Sequence, residues 1–165
     1  MIKKIILLIC LISCMTAIFI FSSQNSVVSG KLSGGITEWI AEKIIRGFDE
    51  LSQSEKIHTV ETMHFYIRKL AHFSIYALLG LISYLNTCQY PLKKSLRIVV
   101  SLLFCLVYGA SDEFHQWFTD GRCCSPVDIM IDFSGSVFGV IFIIALTALI
   151  SKLMQKKKVK AAEQS

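Results

Sequence analysis

Long apolar runs separated by short polar segments dominate the chain. A helix that crosses the hydrocarbon core of a bilayer, which is about 30 Å thick, needs about 20 mostly apolar residues. Four runs approach or reach that length, and the segments between them are rich in Gly, Pro and charged residues. The pattern predicts an all-α, polytopic integral membrane protein with four transmembrane helices over residues 5–21, 70–88, 98–118 and 127–150.

The first apolar run, Ile5–Phe21, has an alternative interpretation as a cleaved signal peptide. The stretch Leu11–Cys14 resembles a lipoprotein cleavage box, which closes the apolar core of such a signal. Here apolar residues continue for most of two turns beyond Cys14, and the complete run is just long enough to span a bilayer. We therefore expect this segment to remain as the first transmembrane helix.

A helical period of apolar residues also occurs outside the four runs, between residues 36 and 51. Trp39 lies beside this stripe, and charged residues occupy the opposite side. The pattern predicts an amphipathic interfacial helix over about residues 36–51, in the first outer loop, either flat on the membrane surface or packed on the rest of the protein. The apolar positions are Ile36, Ile40, Ile44, Phe48 and Leu51.

Composition supports a membrane protein and excludes several other classes. Hydrophobic residues make up 53% of the 165 residues and charged residues 18%, whereas soluble domains contain about 25% charged residues. We expect one membrane domain over residues 1–165, with membrane lipids as its surroundings. No nucleic-acid motif is present, and the six cysteines lack the spacing of a structural zinc site. The sequence therefore gives no reason to expect nucleic acid, a cofactor or a bound metal.

The distribution of positive charge predicts how the helices are oriented. Ten of the 17 Lys and Arg residues lie before the first span, in the short connection between the second and third spans, or in the basic tail over residues 152–165. Positive residues near span ends favour the cytoplasmic side. We therefore expect a multi-pass protein of the cytoplasmic membrane, with the N-terminus and the C-terminus both in the cytoplasm.

Ionisable residues continue directly from the third apolar run. Asp112, Glu113, His115 and Gln116 follow the run that ends near Ala110. On a helix, Asp112, His115 and Gln116 share one face, with Tyr108 one turn earlier. Ionisable groups at the depth of a membrane span usually face a partner or a water-filled pocket. The pattern predicts a polar wall along this helix.

The second and fourth spans carry matching polar residues. Arg68, His72 and Tyr76 recur every four residues where the second span begins, and Asp128 and Asp132 lie near the start of the fourth. In the predicted orientation all of them lie at one level near the outer leaflet, together with the Asp112–Gln116 motif and Arg122. Further along the fourth helix, Gly135 and Gly139 form a small-xxx-small pair, which predicts the close approach of another helix.

The ordered combination of these motifs resembles the VanZ-like family. The stretches that carry the resemblance are Arg68–Tyr76 (RKLAHFSIY), residues 112–118 (DEFHQWF), Gly121–Arg122, and Asp128 with Asp132 and Gly135. The resemblance covers the chain from the first span to the fourth. It implies a membrane protein of the bacterial envelope associated with resistance to teicoplanin, a lipid-anchored glycopeptide, and it implies no particular molecular mechanism.

Three hypotheses follow for the polar residues. In the first, they bind an amphiphile at the outer leaflet, either a lipid-linked peptidoglycan precursor or a teicoplanin-like lipoglycopeptide, whose anionic groups would meet Arg and Lys. The candidate ligand-binding residues are Arg68, Lys69, His72, Tyr76, Asp112, Glu113, His115, Gln116, Arg122, Asp128 and Asp132.

The other two hypotheses use the same residues differently. In the second, the protein is a membrane enzyme acting on a lipid head group, and the catalytic candidates are His72, Asp112, Glu113 and His115. A metal-assisted variant would use His72, His115, Asp112 and Asp132 as ligands. In the third, the residues only lock the helices together, with Arg68 paired to Asp132 and a histidine paired to Asp112. The sequence leaves open whether the protein is an enzyme.

Overall fold

The computed structural model describes residues 2–23, 35, 37–117 and 125–163, with the side chains of the last six residues left out. These parts of the chain contain helices and turns and no strand, so the prediction of an all-α protein is confirmed. In these same parts of the chain, four helices are long and apolar enough to cross a membrane, as predicted. The helices are α1 Ile2–Ser22, α2 over residues 37–44, α3 Gln53–Thr87, α4 Lys94–Gln116 and α5 Pro126–Glu163.

The predicted interfacial helix is shorter than expected and is interrupted. A 3-10 turn, Phe48–Glu50, follows α2, and Gly47 between them has φ 78°, in the left-handed region that commonly ends a helix. The predicted apolar stripe therefore does not form a single surface. Phe48 is buried, whereas Ile44 is 70% exposed.

Two of the transmembrane helices extend well beyond their predicted spans. The start of α3 is fixed by a capping box, in which the Ser52 hydroxyl accepts from the Glu55 N–H and the Glu55 carboxylate accepts from the Ser52 N–H. At 1.5 Å per residue, α3 is about 52 Å long and α5 about 57 Å, against a hydrocarbon core of about 30 Å. The turns of α3 before Leu70 therefore exceed the length needed to cross the hydrocarbon core, and the segment predicted as a basic tail continues α5 as helix to Glu163.

The closest packing in the bundle joins α3 to α5, which run parallel. A Cβ atom added to Gly135 would overlap the carbonyl oxygen of Phe73, and one added to Gly139 would overlap that of Ala77. The predicted close approach at the glycine pair is therefore confirmed, because only a residue without a side chain fits at either contact.

The first helix is an integral part of the bundle and packs against both α3 and α4. The Asn86 side chain, near the end of α3, donates to the Leu7 carbonyl at 3.0 Å, and the Tyr108 hydroxyl of α4 donates to the Met15 carbonyl at 2.7 Å. These contacts make α1 and α4 parallel to each other and antiparallel to α3 and α5. The last turns of α1 and α4 consequently lie at the same end of the bundle as the first membrane turns of α3 and α5.

Candidate functional site

Polar residues of three helices meet at this end of the bundle. The polar layer is the set formed by Lys69, His72 and Tyr76 of α3, Asp112, Glu113 and Gln116 of α4, and Asp128 and Asp132 of α5. Helical spacing explains the set, because residues three or four apart on one helix face the same neighbour. Eight of the eleven candidate binding residues thus come together in space.

Asp112 is the centre of a hydrogen-bonded group inside the bundle. Its Oδ2 atom accepts from the Tyr76 hydroxyl at 3.3 Å and from the Gln116 amide at 3.1 Å. All three side chains are buried. Its second oxygen, Oδ1, has no hydrogen-bond partner within the described part of the chain.

Glu113 is also buried inside the bundle. The predicted polar wall included its neighbour Asp112 but not Glu113 itself. Its side chain is completely buried, and its Oε2 atom accepts from the backbone N–H of Ser125 at 3.1 Å. It lies within electrostatic range of His72, Asp112 and Asp132. The bond between Ser125 and Glu113 joins the start of α5 to α4, a contact that the sequence does not reveal.

Asp132 faces His72 across the contact between α5 and α3. His72 Nδ1 lies 3.4 Å from Asp132 Oδ1, and the carboxylate is 1% exposed while the imidazole is 22% exposed. The geometry does not make a hydrogen bond, and neither carboxylate oxygen of Asp132 accepts one from any described residue. The Ser136 hydroxyl donates to the Asp132 and Tyr76 carbonyls, which ties the backbones of α5 and α3 together.

A narrow crevice opens from this contact to the surface of the protein. Lys69 and Asp128 form an ion pair at its edge, with about a fifth of each side chain exposed. The crevice has about 180 Å³ of empty volume and is too narrow to admit a water molecule as it stands. Its lining residues are Arg68, Lys69 and His72 from α3, and Asp128, Ile131 and Asp132 from α5.

His115 is separated from the crevice. Its ring stacks on Phe19 of α1 with centroids 4.7 Å apart, and its Nε2 atom lies 3.2 Å from the Ser23 hydroxyl. The predicted polar wall is therefore divided: Asp112 and Gln116 face α3, while His115 faces α1. The contact with Ser23 was not foreseen, because spacing along one helix gives no information about which neighbour each side meets.

The ion pairs differ from those expected for a structural lock. Arg68 is half-buried and has no ion-pair partner among the residues that the structure describes, whereas Asp132 faces His72. Asp112 contacts Tyr76 and Gln116 rather than a histidine. Arg122, the remaining candidate, lies outside the described residues, as do Cys123 and Cys124.

The metal-assisted hypothesis gains no support from this arrangement. Across residues 2–23, 35, 37–117 and 125–163, no group of three or more His, Cys, Asp and Glu side chains is placed to hold a metal ion. In particular, His115 lies against α1, while His72 and Asp132 form a separate pair.

Fold and site together define a helical membrane protein with a buried layer of ionisable residues at one end. The sequence profile of the VanZ/LLP1 family matches residues 6–149, which is most of the chain. The chain therefore belongs to the VanZ/LLP1 family and is a VanZ-like membrane protein. No curated protein and no solved structure matches it.

Proposed function

We propose that this VanZ-like protein binds an amphiphile at the outer leaflet of the bacterial cytoplasmic membrane and thereby contributes to glycopeptide resistance. The amphiphile is a lipid-linked wall precursor or a teicoplanin-like lipoglycopeptide. In this proposal both termini are cytoplasmic, as the distribution of Lys and Arg favours. The polar layer then faces the side from which a glycopeptide arrives.

The observation that carries the proposal is the basic side of the crevice. Arg68, Lys69 and His72 line it from α3 and are each partly exposed, while the buried acids Asp112, Glu113 and Asp132 lie deeper. A guanidinium group binds phosphate or carboxylate through two parallel hydrogen bonds. Arg68 is available for such a contact because it has no ion pair within the described structure.

Apolar side chains at the same end suit the hydrocarbon part of an amphiphile. Leu70, Phe114 and Trp117 are 65%, 57% and 66% exposed, and the rings of Phe114 and Trp117 meet edge to face. Aromatic side chains at this depth are typical of the membrane interface, where an apolar ring and a polar edge are both accommodated. A bound chain could lie along this surface while its head group enters the crevice.

A specific observation favours an enzyme as the second candidate function. The buried Asp132 carboxylate faces Nδ1 of His72, which leaves Nε2 of the more exposed imidazole ring free to act on a bound head group. A carboxylate beside a histidine is suited to general acid–base catalysis once a bound substrate draws the two into hydrogen-bond contact. Turnover of a lipid head group by wild-type protein, and its loss in His72→Ala, would favour this candidate.

The test is teicoplanin susceptibility of a sensitive host that expresses wild type, Arg68→Gln or Asp112→Asn at matched membrane levels. We expect wild type to raise resistance to teicoplanin but not to vancomycin, which lacks the lipid anchor. Both variants should return susceptibility to that of the host alone, because one loses the basic contact and the other the carboxylate that holds Tyr76 and Gln116.

Arg46→Gln is the matched control, because Arg46 is exposed and lies outside the polar layer. It should behave as wild type. Resistance that survives in both test variants would contradict the proposed site. Orientation is checked in the same cells by labelling Glu61→Cys, in a cysteine-free background, with an impermeant maleimide. Labelling only after lysis would contradict an outer-leaflet site.

A further inference from the structure

The crevice has walls of opposite charge. The three residues from α3 that line it are Arg68, Lys69 and His72, and the three from α5 include the carboxylates Asp128 and Asp132. Lys69 and Asp128 neutralise each other across the edge. What remains inside is the guanidinium of Arg68 and the imidazole of His72 on one wall, and the carboxylate of Asp132 on the other.

The guanidinium and the carboxylate both have unused binding capacity. Arg68 has no ion pair in the described structure, and neither oxygen of the nearly fully buried Asp132 accepts a hydrogen bond there. Buried carboxylate oxygens without a donor are rare and call for an explanation such as a ligand, an ion or a water molecule. His72 lies 3.4 Å from Asp132, and its geometry leaves both carboxylate oxygens without a hydrogen bond.

A ligand of one charge would complete only half of this crevice. An anionic group would pair with Arg68 but would approach the buried Asp132 carboxylate with like charge. A cation would pair with Asp132 and leave Arg68 without a partner. A ligand that carries both charges a few ångströms apart satisfies both walls, and each contact would be a charge-assisted hydrogen bond.

We propose that the crevice between α3 and α5 recognises a zwitterionic head group, with a phosphate or carboxylate on Arg68 and an ammonium on Asp132. This inference rests on the proposed function and specifies the chemical class of its amphiphile. An aminophospholipid and a lipoglycopeptide that carries both an amine and an acid share this chemistry. Because the crevice is closed to water, entry of the head group requires the ion pair between Lys69 and Asp128 to open.

The experiment measures binding of two short-chain lipids to the purified full-length protein by isothermal titration calorimetry. Dihexanoylphosphatidylethanolamine carries the ammonium, and dihexanoylphosphatidylglycerol has the same chains and phosphate without it. We expect wild type to bind the ethanolamine lipid at least tenfold more tightly. Displacement by teicoplanin would identify the drug as a source of this chemistry, and its absence would assign the chemistry to the phospholipid.

Two variants assign the two contacts. Asp132→Asn should abolish the preference for the ethanolamine lipid, because it removes both the partner of the ammonium and the like charge that opposes the glycerol lipid. Arg68→Gln should weaken both lipids by similar factors, and Asp49→Asn, an exposed acid outside the layer, should change neither. If Asp132→Asn fails to fold, the comparison of the two lipids on wild type still decides the question.

The outcomes separate this inference from the proposed function. Equal affinity of wild type for the two lipids would overturn the zwitterionic head group while leaving amphiphile binding intact. Equal losses for both lipids in Asp132→Asn would also overturn it. Failure of wild type to bind either lipid or teicoplanin would overturn both proposals.

Discussion

The two ends of the helical bundle are held together by different chemistry. At the end opposite the polar layer, the groups that join the helices are neutral: Asn86 donates to a carbonyl of α1, and Thr87 and Ser101 share a hydrogen bond of 3.0 Å between α3 and α4. An apolar cluster of Tyr84, Val140 and Ile143 packs beside them. At the polar end, the side chains buried between the helices include three carboxylates, those of Asp112, Glu113 and Asp132.

This difference separates residues that hold the helices together from residues that do something else. Neutral side-chain hydrogen bonds between membrane helices contribute about 0.6 kcal/mol on average. A charged group within a membrane costs about 2.5 to 3.5 kcal/mol on insertion scales. A bundle that needed only stability would use the neutral solution at both ends, so the acids of the polar layer point to a function beyond holding the helices together.

The largest effect on stability is expected at the glycine contact between α3 and α5, because this contact supports both ends of the bundle. Gly139→Val places a side chain against the Ala77 carbonyl and forces α3 and α5 apart. We expect destabilisation at or above the upper end of the roughly 1 to 3 kcal/mol typical of overpacking. The free energy of unfolding by SDS in mixed micelles measures it.

Gly35→Ala is the matched control for this variant. A Cβ atom at Gly35 meets nothing within 4 Å, so stability should not change measurably. An unfolding free energy of Gly139→Val equal to that of wild type would show that the close approach of α3 and α5 is not essential.

A smaller effect is expected at the neutral end. Asn86→Leu removes the donor to the Leu7 carbonyl of α1 and should cost between about 0.6 and 1.7 kcal/mol, the range for hydrogen bonds between membrane helices. Teicoplanin resistance at matched protein levels should stay at that of wild type. SDS unfolding and susceptibility together make this measurement.

Ser74→Ala serves as the reference for Asn86→Leu. The Ser74 hydroxyl bonds only to Leu70 within its own helix, so its loss should have less effect on stability than loss of the bond between helices. Loss of resistance in stable Asn86→Leu protein would contradict the proposal that the neutral end serves only stability and the polar end serves function.

The smallest effect on stability is expected at Glu113. Glu113→Gln keeps an oxygen that can accept from the Ser125 N–H and replaces the acid with a neutral group of the same shape, so the protein should lose no stability. Resistance, by contrast, should fall to that of the host alone.

Glu113→Gln is the clearest test of the difference between the two ends, because it replaces a single atom and should remove resistance without lowering stability. A large loss of stability in Glu113→Gln would support the structural lock instead of a binding site. Retention of both stability and resistance would remove Glu113 from the candidate site.

Periodicity and length were sufficient to predict much of the fold. The four spanning helices follow from runs of apolar residues that only a membrane accommodates. The close approach at Gly135 and Gly139 follows from a local rule that requires small residues four positions apart. The break at Gly47 was missed, because an apolar period of 3.6 continues through a glycine whose left-handed φ the sequence does not reveal.

The candidate site was predictable in its membership but not in its contacts. Spacing along α3, α4 and α5 indicated which side chains share a face, and the resemblance to a known family named the same positions. Which partner each side chain meets depends on how helices rotate against one another. That rotation directs His115 to Phe19 and Asp132 to His72, and no rule based on one helix contains it.

The glycine contact also determines how the crevice can widen. Backbones touch at Gly135 and Phe73 and again at Gly139 and Ala77, so the two helices have no freedom to separate along this stretch, and the crevice widens only when the turns of α5 before Gly135 tilt away from α3. Asp128 lies about 10 Å from Gly135 toward the start of α5, at 1.5 Å per residue, so a tilt of these turns displaces it sideways. A tilt of about 15° over that distance moves the edge by about 3 Å, which is comparable to the diameter of a water molecule. A packing contact between two helices is, in mechanical terms, a fulcrum.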